Sequence, residues 1–273
     1  MILEEGAEFV CRGYSAWNGS AFIIITNGAT ASIQAMYCAQ AAANDVTVCV
    51  SGENSVLSAS SAVSIGGSPV LAGGKALLRV RDGARMRNTV NRPMYVWPQG
   101  TVALDRGSVE ITGADPGKKL YLRGGLLEGM GVVTGHVYNA YGFVHPGGSN
   151  VVGRLDVSGH FENGYSGTYE DSDGATETVT GTLQLDIAGR ESHDLLAVDG
   201  HLVCKGTLRV SLLEGFKPDQ HGARFKLLDW TTIEGEFDTI ELPGPADYWN
   251  LDDLYVTGEI EYAPPRGTLL MMR

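Results

Sequence analysis

Between Thr182 and Leu228 one short pattern recurs four times with almost nothing between the repeats. Leu183-Gln184-Leu185-Asp186-Ile187, Leu196-Ala197-Val198, Leu202-Val203-Cys204 and Leu208-Arg209-Val210-Ser211-Leu212 are the runs. In the first and last of them apolar and polar residues alternate strictly, the period-2 signature of a strand with one face buried. The links are Gly189 to Asp194, Asp199-Gly200 and Lys205-Gly206. Asp-Gly between two runs is by default a hairpin turn. Short strands stepping forward through Gly corners equally describe the coils of a β-solenoid, in which each strand pairs with the coil above and below.

The same spacing runs back through the chain. Val46-Thr47-Val48-Cys49-Val50 alternates and breaks at Ser51-Gly52-Glu53-Asn54; Val63-Ser64-Ile65 closes on Gly66-Gly67, and Leu77-Leu78-Arg79-Val80 on Asp82-Gly83. Val109-Glu110-Ile111, Leu120-Tyr121-Leu122 and Val132-Val133 likewise each run into Gly. Residues Glu8 to Ala43 carry the pattern least clearly. Propensity over Gln34 to Ala43 suggests a helical turn, and small residues packed into coil corners explain the same stretch equally well. Gly164 to Thr178 is polar and acidic and reads as an exposed loop projecting from the stack. After Leu212 the chain turns aromatic and proline-rich through Trp230, Phe237, Pro243, Trp249 and Tyr255, as suits a cap over an open solenoid end.

Composition sharpens the class. The 273 residues include 37 glycines, about twice the usual share of roughly 7%, and 19% charged residues against about 25% in average proteins. Each Gly weakens a helix interior by about 1 kcal/mol, so the chain reads as all-β with many corners. The net charge is −12, with the 20 Lys and Arg scattered. That balance excludes a nucleic-acid partner and disfavours anionic membrane surfaces. No run approaches the roughly 18 apolar residues of a spanning helix. Met1 to Glu8 has two early acids and no basic region, so it is not a secretory signal; the expectation is either a signal already removed or a piece of a longer chain. Cys11, Cys38, Cys49 and Cys204 form no Cys-x-x-Cys pair and read as mostly free, buried thiols, although a bridge among the first three would suit an exported protein.

Several segments together resemble a known group. Gly125-Leu126-Leu127-Glu128-Gly129-Met130-Gly131-Val132-Val133-Thr134-Gly135-His136-Val137 is followed by Val144-His145-Pro146-Gly147-Gly148-Ser149 and by Gly153-Arg154-Leu155-Asp156-Val157-Ser158-Gly159. Gly206-Thr207-Leu208-Arg209-Val210, Gly215-Phe216-Lys217-Pro218 and Phe225-Lys226-Leu227-Leu228-Asp229-Trp230 continue the order, and Val80-Arg81-Asp82-Gly83-Ala84 precedes it. This is similar to the repeat of autotransporter-passenger-like, sorting-tail-associated bacterial surface β-solenoid proteins. The resemblance covers about Val46 to Ile260. It implies a right-handed parallel β-helix, export to the cell surface or beyond, and no catalytic residues.

Candidate chemistry is sparse. Asp171-Ser172-Asp173-Gly174 has the opening spacing of a calcium loop but lacks the later ligands, and position 182 is Thr; Asp171 and Asp173 are the weak calcium candidates against a solvated acidic turn. Glu170 with Asp171 or Asp173 would be the acid and base of a glycan-cleaving enzyme if a groove set their separation. Tyr138, Tyr141, Tyr165 and Tyr169, with Phe143, are candidates for a sugar-stacking face. The six histidines show no metalloprotease spacing and read as surface residues at coil corners. The expectation is an all-β, right-handed parallel β-helix with a C-terminal β cap. Residues 1–45 would form an N-terminal cap or truncated first coils, 46–212 the coils with the insert at 164–178, 213–263 the cap and 264–273 a tail. Its role would be that of a non-enzymatic exported or cell-surface scaffold, adhesin-like, contacting a surface polysaccharide or a neighbouring cell, with no cofactor unless calcium. The alternatives are a carbohydrate-active β-helix enzyme, a polysaccharide lyase or glycoside hydrolase, and a calcium-dependent glycan-binding module.

Overall fold

The structure, a computed structural model, describes all residues except 18, 90–91, 112–118, 165–166, 171–175, 219–220 and 266–273; for 12–17, 119, 167–170 and 176–179 it describes the backbone only. The chain winds as a parallel β-helix, a 23-stranded sheet closed on itself. Each turn lays down three strands, and each strand pairs in parallel with its counterparts one turn before and after. The turns rise about 4.8 Å each.

Three inward ladders make the core. On the first face Ile23, Val48, Leu78, Val102, Leu127, Val144, Leu183, Leu208 and Ile240 stand in register. On the second face Ala31, Leu57, Met86, Val109, Val133, Val157, Val198 and Trp230 do so. On the third face the row is Met36, Val63, Met94, Leu120, Val137, Phe161, Leu202 and Ile233. The strict alternation seen in the sequence arises here: one side chain of each pair fills the tube and the next faces solvent.

The corners explain the glycines. Leu195–Cys204 runs through Asp199-Gly200 without reversing, so this Asp-Gly is a coil corner and not a hairpin. A Cβ on Gly200 would lie 2.4 Å from the carbonyl oxygen of Gly159, and one on Gly159 would lie 2.2 Å from that of Gly135. The backbones therefore approach to a distance that only Gly allows. Further round the turn, Asn139 and Asn163 stack inside the tube. Asn139 Nδ2 donates to Asn163 Oδ1 at 2.7 Å, and Asn163 Nδ2 donates to the Lys205 carbonyl at 2.9 Å, so the buried amides satisfy one another and the carbonyl of a corner residue.

The first four strands lie in the same parallel stack, with Ile2–Leu3 and Glu8–Trp17 paired to Ser20–Thr26 and Thr30–Cys38. No helical turn forms over residues 34–38, which are strand. Ala35, Met36 and Cys38 are buried there, so packing on the ladder overrides local helix propensity. The polar insert is not a loop throughout: Gly167–Glu170 and Thr176–Val179 pair as an antiparallel ribbon apart from the main sheet. Thr, Tyr and Val on these segments supply the strand propensity that the acidity had masked. At the C-terminal end Ala223–Lys226, Trp249–Asn250 and Glu259–Tyr262 form an antiparallel sheet that buries Phe225, Trp249, Leu254 and Ile260 over the last coil. All four cysteines are free; burial pushes the Cys204 thiol up to about 12 and that of Cys38 up as well. Among the described residues no helix is long and apolar enough to cross a membrane.

Candidate functional site

The outer side of the first face carries two rows of side chains running across the coils. One is largely apolar: Leu77, Thr101, Leu126 and Phe143 are register neighbours, and Phe143 is exposed. The other is polar: Arg79, Ala103, Glu128 and His145 follow in register, with Gln184 on the next coil. Two open clefts lie along these rows. One, of about 370 Å³, is lined by Arg79, Arg81, Ala103, Asp105, Glu128 and the Gly147-Gly148 turn. The other, of about 390 Å³, is lined by Pro98, Thr101, Leu126, Phe143, His145 and Gln184.

At the end of the polar row sits a buried cluster. His145 closes the first-face strand Phe143–Pro146, Asp186 lies on Thr182–Gly189 of the next coil, and Asp194 follows the small hairpin at Ser192–His193. They are 7%, 2% and 0% exposed, so each charge must be satisfied within the protein. His145 Nε2 lies 3.0 Å from Asp186 Oδ2 and 3.8 Å from Asp194 Oδ2. Asp194 accepts the Gly153 N–H at 2.7 Å on one oxygen and the Asp186 N–H at 2.8 Å on the other. It thereby ties the turn at 147–153 to the following coil.

Burial pushes the Asp194 carboxyl up to about 7, with the Asp186 charge adding to the rise, against the two backbone donors and His145. For His145 burial works downward, but the hydrogen bond and charge of Asp186, with Asp194 and Glu128 behind it, raise it overall. The cluster therefore holds a proton in the neutral range, where two carboxylates facing one imidazole would otherwise leave a buried charge unbalanced. Ligand atoms of the three residues all lie within 4.8 Å of one another, which makes them the residues that could hold a metal ion. Both Asp194 oxygens are already committed to backbone N–H groups, so His145 and Asp186 would supply most of that coordination.

Of the residues singled out from the sequence, Phe143 lies on the apolar row of this site and the others fall elsewhere. Tyr138 lies on the third face, its ring edge-on to Tyr121 at 4.7 Å and 9% exposed, in a row with Tyr95. Arg123 stacks over Tyr95, Trp97 and Tyr121 of this patch, closest to Tyr95 at 4.6 Å. Tyr141 is half-buried at the turn into the first face. Tyr165, Asp171 and Asp173 lie outside the described residues, as does the side chain of Tyr169, whose backbone belongs to the ribbon strand. Glu170 has its backbone at the end of the same strand. His136, His160 and His201 stack at the corner between the second and third faces, the first two parallel at 4.5 Å. His145 departs from the corner expectation: it is buried on a strand, because Asp186 and Asp194 give it a partner. Nothing in the linear sequence joins residues 41 or more positions apart in this way; only the coil register does. The residues that reading had not brought together are thus Arg79, Glu128, His145, Asp186 and Asp194. No family model matches this chain and no curated protein matches it, so its role is read from the arrangement of its own side chains.

Proposed function

We propose that this β-helix is a non-enzymatic scaffold, exported or held at a cell surface, that contacts an extended glycan along the outer side of its first face. The single observation behind this reading is the pair of clefts spanning successive coils, bordered by an apolar row ending in exposed Phe143 and a polar row ending at His145 and Gln184. Sugars present an apolar ring face and a rim of hydroxyls, and two parallel rows of this kind match both. The surface location is supported by the resemblance of the coil segments to bacterial surface solenoids. A rigid stack with closely spaced, repeated contact positions suits a polymeric ligand better than a compact one.

One observation favours the rival enzyme reading: Asp105 and Glu128 line the same cleft, as two carboxylates would in a carbohydrate-active enzyme. Incubating the purified chain with an array of polysaccharides, while measuring both retention and released oligosaccharides, separates the two. Retention without products is the expected result. Products released by wild type and lost in Glu128→Gln would install the enzyme in its place.

A further inference from the structure

The stack has a habit of pairing opposite charges across adjacent coils. Arg87 and Glu110 are register neighbours and meet at 2.7 Å; Arg209 reaches Glu241 and Lys75 reaches Asp45 in the same way. Arg79 and Glu128 break this habit. Arg79 has Cys49 before it and Ala103 after it; Glu128 has Ala103 before it and His145 after it. The small Ala103 holds the two charges two coil rises apart, about 10 Å. Among the described residues no hydrogen bond or ion pair involves the Arg79 guanidinium, and none involves the Glu128 carboxylate, whose charge acts on His145. The other two charges in this cleft are engaged, Arg81 with Ser51 and Asp82, Asp105 with Arg106. Ala103 alone stands between Arg79 and Glu128 in the row, and the Gly147-Gly148 turn of the following coil borders the same cleft. Gly148 lies beside the Glu128 carboxylate with its backbone at φ +88°, a conformation that glycine adopts without strain.

We infer that this cleft takes a carboxylate-bearing glycan, with a uronate carboxylate on Arg79 and sugar hydroxyls on Glu128, a reading that rests on the glycan contact proposed above. A guanidinium offers a planar fork that matches a carboxylate with two parallel hydrogen bonds. A carboxylate that accepts nothing from the described residues is a ready acceptor for hydroxyl donors, two sugar residues along an extended chain. Exposed Phe143 continues the apolar row beside them for ring stacking. The net charge of −12 opposes approach of a polyanion from afar, but that repulsion is screened beyond about 8 Å at physiological salt. The selectivity therefore arises at contact range, from Arg79.

The test uses polygalacturonate and the same polymer after carboxyl reduction, titrated against the full chain. Wild type is expected to bind the acidic polymer about tenfold more tightly or better, the scale of one charge-assisted fork. Arg79→Gln should abolish that preference, whereas Arg87→Gln, on the second face and outside the cleft, should leave it intact. Ala103→Glu, which hands Arg79 an adjacent carboxylate, should also abolish it while the melting temperature reports an intact fold. Equal binding of the two polymers, or a preference that survives Arg79→Gln, overturns the inference and leaves the glycan contact standing. Failure to bind these two polymers and every other polysaccharide on the array overturns both.

Discussion

Asp194 commits both carboxylate oxygens to backbone N–H donors, and this determines what a substitution there does. Asp194→Asn keeps the shape but turns an N–H donor toward a backbone N–H, so it should cost about 1–3 kcal/mol at neutral pH. The pH dependence carries a second signature. The folded chain holds the Asp194 proton up to about 7, whereas an unfolded Asp releases it near 3.8. The folded state thus binds more protons in between, and the stability this contributes is full below about 3.8 and lost as pH rises through 7. His145, raised from 6.5, acts in the same sense at the upper end of the window. Melting temperatures measured from pH 4 to 8 should therefore fall more steeply for wild type than for Asp194→Asn; parallel curves would mean that the cluster holds no proton of this kind. In the core the arithmetic is simpler. Leu183→Ala removes a rung between Val144 and Leu208 and should cost about 2–5 kcal/mol by chemical denaturation.

At the scale of elements, the ribbon at 167–179 is attached through roots that already touch. A Cβ on Gly181 would lie 2.9 Å from the Gly164 backbone nitrogen, and Gly164 donates to the Asn139 carbonyl on the coil before. Replacing residues 165–180 by a short Gly-Ser link should leave the melting temperature within about 3 °C, the equivalent of about 1 kcal/mol. If calcium raises the melting temperature of the full chain, that increment should vanish in the shortened one; its persistence would move the ion away from Asp171 and Asp173. Much of this scale was legible in the sequence. Alternation at Leu183 to Ile187 and Leu208 to Leu212 gave strands with the right buried phase, and the Gly-ended runs gave the corners. Two elements were not legible for physical reasons. Asp199-Gly200 has identical local chemistry in a hairpin and in a corner, and only the approach of Gly159 from the neighbouring coil decides between them. The alanines near residue 35 favour helix locally, and the ladder of buried side chains overrules them.

For the molecule as a whole, the distinction between what could and could not be read is one of register. The parallel β-helix follows from local pattern repeated along the chain. The candidate site does not, because Arg79, Glu128, His145, Asp186 and Asp194 fall along one stretch of the stack only once the lengths of every intervening corner and insertion are known. A stack in which each turn contacts only the next also distributes stability locally. Hydrogen exchange should accordingly show protection varying along the stack, with the coils beneath the C-terminal aromatic cap among the slowest.

Ala103 gives the stack an arithmetic of whole turns. Separation between two outward charges comes only in multiples of the coil rise, so the reach between Arg79 and Glu128 is a count of intervening turns and not a continuously adjustable length. Removing the single turn that carries Ala103, residues 101–125, would bring guanidinium and carboxylate onto adjacent coils, where they would neutralise each other and close the cleft. Adding one turn would instead lengthen the span by about 4.8 Å. Ligand length would then be set by the number of turns, as divisions on a ruler.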